Sequence, residues 1–309
     1  MHLQDFFSSK AATQLGIYVA QYMPRRVGYG LAQIAADVIV SRRPQIYWTV
    51  RANLRQILGP DADEKELHNM ARRLFAHAGQ TYYDFFHVVG RPPEVHAKMT
   101  RIPESMVDHI RSEMNKGSGV LLLGMHMSNF DLVLLAFGAY GFPVQVLTIS
   151  DPLPGFHVLN RLRIRAGFEV TPITPESLRS AVRRLRGGGL VLTAGDRPIP
   201  EDRKLISFFG RPAYLPLGPA RLAMMSQAAI LMGGCHYDSE QGYVLEVTGP
   251  IELVRTGNWR KDMLHNAGRL AAILEGYVRA YPEQWMMFYP LWPESQEASA
   301  HSLGPEGPE

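Results

Sequence analysis

Within the apolar run LLLGMHMSNFDLVLLAFG, residues 121–138, the chain places one histidine, His126, and one acidic residue, Asp131. Imidazole titrates near neutrality, and it accepts a proton from an attacking hydroxyl best when a carboxylate fixes its other nitrogen. If 119–124 is a buried strand, His126 leaves its carboxyl end, where open α/β sheets carry their ligand sites. Ser128 or Asn129 then caps the next helix, and Asp131 falls in that helix's first turn. The pair is the base and orienter of a triad without a serine nucleophile beside it. Spacing alone does not single it out: with eleven histidines, about one H-x-x-x-x-[DE] match arises by chance. His301 with Glu306 is a second match, in a low-complexity tail; His126 differs in lying between a strand and a helix.

The elements that must position these residues are readable from periodicity. Leu67, Met70, Leu74, Ala78, Tyr82 and Phe85 recur at helical spacing and predict a long helix over 64–89, with a shorter one over 104–116. Apolar runs at 119–124, 144–149, 168–173 and 189–194 read as buried strands, alternating with helices near 129–140, 155–166 and 176–186. That alternation predicts an α/β fold with a mixed, largely parallel central sheet flanked by helices. After Gly195 the sequence reads as loop to Leu217, then a helix through GPARLAMMSQ. AILMGGCHY and GYVLEVTG, separated by DSEQ, predict a hairpin, and a last helix covers about 260–280. Three parts follow: N-terminal helices over 1–60, an α/β domain over 61–293, and a polar Pro/Gly-rich tail over 294–309, expected to be disordered.

Composition removes several function classes. A single cysteine, Cys235, excludes a disulfide framework and any multi-cysteine metal site, and favours a reducing compartment. No metal-ligand cluster is visible. The net charge of +3 gives no global field for nucleic acid, but basic residues cluster at Arg161, Arg163 and Arg165, at Arg179, Arg183, Arg184 and Arg186, and at Arg197, Arg203, Lys204 and Arg211. Arginine suits phosphate or carboxylate ligands; for the 179–186 group a solvated helix face is the simpler reading. No stretch has the uninterrupted apolar length of a membrane span or the layout of a signal peptide. The N-terminal region instead reads as two apolar helices broken by Met23-Pro24-Arg25-Arg26 and followed by Ser41-Arg42-Arg43. Such helices suit either an anionic bilayer surface or a protein core.

From about Asn53 onward the chain resembles the bacterial glycolipid acyltransferases, which include the late lipid A acyltransferases and the phosphatidylinositol mannoside acyltransferases. The matching segments occur in order: VRANL, GVLLLGMHMSNFD, NRLRIRAGFEVTPI, GGGLVLTAGDRP, ISFFGRPAYLPLGPARLA and YPEQWMMFYPLWP. The resemblance implies transfer of a fatty acyl group from a thioester, acyl-CoA or acyl-ACP, to a glycolipid hydroxyl. It places the protein peripherally on the cytoplasmic face of the inner membrane, with no cofactor beyond that co-substrate and no metal. By motif, His126 is the general base and Asp131 the acidic member of its pair. Asp196 matches an acidic position after the fourth strand, and in the mannoside-lipid branch a carboxylate there supports the histidine. Asp131 and Asp196 therefore compete for the orienting role. Arg163 and Arg165 fall in the family's arginine-containing block, suited to anions or an oxyanion. Arg197 either pairs with Asp196 or meets a phosphate.

The sequence also departs from the family. Many lipid A enzymes carry a histidine and a basic run after the PEQW-like segment, where this chain reads YPLWPE, and the later acidic motif is GDRPIPED. These differences lean toward the mannoside-lipid type. The nearest alternative enzyme is a glycerophospholipid acyltransferase, but its Pro-Glu-Gly-Thr-like phosphate block is missing, as is the G-x-S-x-G elbow of serine hydrolases. A non-catalytic lipid-binding relative, with His126 structural, is the alternative from another class. Met and aromatic residues at 223–232 and 285–292 are either an acyl-chain lining or ordinary core. His157, His236 and His265 have no partner pattern and read as core or surface.

Overall fold

The computed structural model describes residues 10–150, 155–199 and 202–293. The tail expected at 294–309, with His301 and Glu306, lies outside the described residues.

Helices come first. α1 (Lys10–Tyr22), α2 (Arg25–Arg42) and α3 (Gln45–Leu58) are separated at Pro24 and Pro44, which sit in extended backbone at the N-caps of α2 and α3 and cannot continue the preceding helix. α4 (Glu64–Val88) starts at Asp63, whose carboxylate accepts the Glu66 N–H at 3.0 Å, and buries Leu67, Met70, Ala71, Leu74 and Ala78 along one stripe. α2 packs closely on α4 through small residues. A Cβ on Gly28 would stand 2.3 Å from the Tyr83 ring, and one on Gly79 2.8 Å from Ala32, so glycine lets the two backbones approach.

Next come α5 (Pro93–Met99), β1 (Thr100–Arg101) and α6 (Glu104–Asn115), then the alternating region. This comprises β2 (Val120–Gly124), α7 (Phe130–Gly138), β3 (Val144–Thr148), α8 (Phe156–Arg165), β4 (Glu169–Pro172), α9 (Pro175–Arg186) and β5 (Leu190–Ala194). β6 (Arg203–Phe208), β7 (Arg211–Pro216), α10 (Gly218–Ser226), β8 (Ala229–Asp238), β9 (Gly242–Thr248) and α11 (Trp259–Ala280) complete the fold. The seven-stranded sheet has the order β1-β9-β8-β2-β5-β3-β4; β8 and β9 pair antiparallel and every other pair is parallel. The expected α/β fold with a mixed, largely parallel sheet is what the chain adopts.

β2 lies at the centre, between β5 and β8, and its residues Val120–Leu123 are buried. Strands covered on both faces carry near-continuous apolar runs, which is why this segment holds so little polarity before His126. α2 is fastened to the sheet by a buried carboxylate. Tyr29 and Tyr243 each donate a hydroxyl to Asp84 Oδ2 at 2.7 Å, and Arg25 stands 3.5 Å away.

The loop expected over 195–217 is instead largely the β6–β7 hairpin. Its two-residue connection is Phe209 (φ 53°) and Gly210 (φ 73°), the doubly left-handed turn for which Asn-Gly is the usual signal. Here Phe209 takes the first position, so that signal is missing, while Pro198, Pro212 and Pro216 suggest loop. The strand character lies in the alternation, with Ile206, Phe208, Ala213 and Leu215 buried.

Candidate active site

His126 sits two residues past the end of β2. Its ring Nδ1 lies 2.8 Å from Asp196 Oδ1, and its backbone N–H donates to Asp196 Oδ2 at 2.8 Å. Trp285 Nε1 donates to the same Oδ2 at 2.9 Å. Asp196 is fully buried. Burial alone would raise its pKa, but the adjacent His126 and the hydrogen bonds from His126 and Trp285 hold it below the ordinary carboxylate value. An ionised carboxylate only accepts, so Nδ1 carries the proton and Nε2 is left as the free base. Nε2 has no hydrogen-bond partner among the described residues, and His126 lines a large cavity.

Asp131 does not touch the histidine. It sits in the first turn of α7, where its Oδ1 accepts from Arg163 Nε at 3.0 Å and Nη2 at 2.6 Å, and Arg163 Nη1 donates to Asn160 Oδ1 at 3.0 Å. Asp196, not Asp131, is the carboxylate on the histidine, while Asp131 fixes an arginine that lines the same cavity. Arg165 is exposed on α8 and does not border the cavity; a two-residue step turns about 200° around a helix, so Arg163 and Arg165 point apart. Arg197 does not pair with Asp196. Its guanidinium stands over the Tyr289 ring, 3.9 Å from the centroid.

The turn carrying His126 is held from behind. Ser128 takes φ 45°, an unfavourable conformation for a residue other than glycine, and its N–H donates to Gln284 O at 2.8 Å. Ser128 Oγ lies 3.0 Å from His77 Nε2, and Asn129 both caps α7 through Leu132 N–H and donates to Thr81 O. The Met286 N–H donates to His126 O at 2.8 Å. Gln284 in turn accepts from Tyr237 N–H and donates to Tyr237 O, locking the segment to β8. His77, Asn53, Gln284 and Trp285 were not singled out from the sequence. Gln284 lies in PEQW and Asn53 in VRANL, places that only the resemblance marks, while Trp285 lies both in PEQW and in the Met/aromatic segment 285–292.

The cavity measures about 1480 Å³. Leu122 and Leu123, successive residues of β2 and so on opposite faces of the sheet, both line it; the space wraps around the strand ends. One part lies beneath α7, against Leu134, Phe137, Val146 and Leu231; another runs between α9 and α10, against Leu178, Val182, Leu222 and Met225. Arg179, Arg183 and Arg186 are exposed, as a solvated helix face expects, and border the second part. Arg184 does point away, to Glu169 and Pro143 O. Of the Met and aromatic residues at 285–292, Trp285, Met287 and Trp292 are core and Tyr289 lines the cavity. His236 is likewise packed, its ring stacked on Tyr281 at 4.2 Å.

Residues 10–294 match the family described as bacterial lipid A biosynthesis acyltransferase. The chain belongs to that family. It is 25% identical over 254 residues to the phosphatidylinositol mannoside acyltransferase of Mycobacterium tuberculosis (strain H37Rv), covering 79% of this chain and 76% of the relative. It is 24% identical over 249 residues to the enzyme of the same name from Mycolicibacterium smegmatis, covering 79% and 78%. In this member of the family, MHMSNFD, GDRP and PEQW are far apart in sequence but meet at one carboxylate and one imidazole, and Asn53 of VRANL holds the backbone that follows PEQW.

His77 supplies a test of the support behind the turn. Burial pushes its pKa from 6.5 to about 4, so it is neutral in the folded protein at pH 7, whereas the unfolded chain binds a proton below about 6.5. Stability therefore falls as pH drops from about 6.5 to about 4, by about 3 kcal/mol from this group. Denaturant midpoints measured across that window should show a shallower acid loss in His77→Gln than in the wild type.

Proposed function

We propose that this protein is a peripheral membrane O-acyltransferase that moves a fatty acyl chain from acyl-CoA or acyl-ACP to a sugar hydroxyl of a phosphatidylinositol mannoside-like glycolipid. The observation that carries this reading is a free imidazole nitrogen, backed by a buried carboxylate, opening into a large and mostly apolar cavity in a member of an acyltransferase family. His126 Nε2 takes the proton of the acceptor hydroxyl as its oxygen attacks the thioester carbonyl carbon. The carbonyl electron pair moves onto oxygen, and the Arg163 guanidinium, held by Asp131 and lining the same cavity, is a fixed cation that meets that charge. Collapse re-forms the carbonyl and breaks the C–S bond, and the proton on His126 goes to the departing thiolate. Ester and thiol are the products, with no acyl-enzyme and no redox change.

The cavity supports direct transfer. Single-ligand pockets span roughly 300–1,000 Å³, and 1480 Å³ leaves room for the reacting ends of donor and acceptor together. The two phosphatidylinositol mannoside acyltransferases that the chain resembles favour a mannosylated phosphatidylinositol as acceptor over lipid A.

Membrane contact is assigned to α1 and α2. Leu15, Tyr18, Val19 and Tyr22 are exposed on α1, and Val27, Leu31, Ile34 and Val38 form an exposed stripe along α2, with Arg25, Arg26, Arg42 and Arg43 at its ends. Among the described residues no helix is long and apolar enough to cross a membrane, and the arrangement fits helices lying in the plane of an anionic surface on the cytoplasmic side. α1 also packs against α8, which carries Arg163, so the apolar face adjoins the cavity wall.

Thiol release from palmitoyl-coenzyme A, with and without a mannosylated phosphatidylinositol, tests the chemistry. Acceptor-dependent release is expected in the wild type and at least about 100-fold less in His126→Ala; equal release in the two proteins, or none with either CoA or ACP donors, contradicts the assignment and leaves a lipid-binding protein. In sedimentation with anionic vesicles, Leu31→Gln with Ile34→Gln should leave the protein largely in the supernatant. Unchanged pelleting would remove α2 from the membrane face.

A further inference from the structure

Arg197 directly follows the orienting carboxylate, yet its guanidinium makes no ion pair among the described residues. It rests instead on the face of Tyr289. A ring face satisfies a guanidinium's charge without using its in-plane N–H groups, so those donors stay available to an anion. Tyr289 is 39% exposed, far more than a packed core aromatic, and both residues line the cavity that holds His126.

Tyr289 is itself held in place. The side chain of Asn53, buried at 2% exposure, donates to Tyr289 O at 2.8 Å and Met287 O at 3.2 Å, and its Oδ1 accepts the Leu291 N–H at 3.4 Å. One buried asparagine from α3 thus splints the backbone around residues 287–291. The result is a fixed aromatic ring carrying a cation that has no ion pair among the described residues, in the cavity that His126 also lines.

We infer that Tyr289 is a positioning residue that holds Arg197 as a receptor for a phosphoester at the cavity mouth. The inference rests on the acyl-transfer reading, which supplies two sources of that group: the phosphodiester of a glycolipid acceptor and the phosphates of the donor's carrier.

Calorimetric binding of glycerophosphoinositol and, separately, of coenzyme A to the full chain distinguishes the two. For one of these ligands, Arg197→Gln and Tyr289→Leu should each weaken binding about tenfold, Tyr289→Phe should stay within about twofold, and the Arg197→Gln/Tyr289→Leu double variant should lose no more than either alone. The affected ligand names the source. Equal binding by wild type and Tyr289→Leu for both ligands overturns the inference, as does Tyr289→Phe weakening binding as much as Tyr289→Leu, or a wild type that binds neither ligand. Binding needs no turnover, so a protein that passes this test but fails the thiol-release assay refutes acyl transfer and not the phosphoester site.

Discussion

The buried carboxylate of Asp196 organises the candidate site. Asp196 is removed from water, and an ionised group in that position costs several kcal/mol unless fixed donors surround it. Three donors do so: the His126 ring, the His126 backbone N–H and the Trp285 indole. They come from the turn after β2 and from the segment after α11, while Asp196 itself follows β5. None of these pieces makes the constellation alone, and the neighbouring contacts serve to bring them together. Gln284 ties the PEQW segment to β8, Asn53 splints its continuation, and the Ser128 turn is held by His77 and by Gln284.

The two aspartates take different partners because the backbone separates them. Asp196 lies beside β2 through the parallel β2–β5 pairing, in which Gly124 and Ala194 are register partners, so strand pairing delivers it directly to His126. Asp131 is carried away by the first turn of α7 and faces α8, where Arg163 meets it. In the proposed reaction one carboxylate sets the imidazole tautomer and the other fixes a cation toward the developing oxyanion. A five-residue spacing in sequence does not imply contact in space; pairing across a parallel sheet does.

The alternating strands and helices, the turn carrying His126 and the late hairpin were legible because their signals are local: apolar runs bounded by glycine, helical periodicity, a cap at Ser128 or Asn129. The β6–β7 hairpin was not, because Phe209 occupies a turn position usually marked by asparagine. Between Asp131 and Asp196 no local pattern decides, since the choice depends on β2–β5 register. Arg163 and Arg165 looked equivalent in sequence and diverge because helix geometry sends them to different sides. The roles of Asn53, His77, Trp285 and Tyr289 rest on contacts between elements up to 238 residues apart, as in the Asn53–Leu291 hydrogen bond, and periodicity carries no trace of those.

In the proposed reaction Asp196 fixes the tautomer of His126. That role is tested most directly by nitrogen-resolved NMR of the imidazoles in the wild type, Asp196→Asn and Asp131→Asn. A hydrogen-bonded Nδ1 proton on His126 is expected in the wild type, persisting in Asp131→Asn and lost in Asp196→Asn. Loss of that proton in Asp131→Asn with retention in Asp196→Asn would contradict that role and return the orienting function to the aspartate five residues downstream.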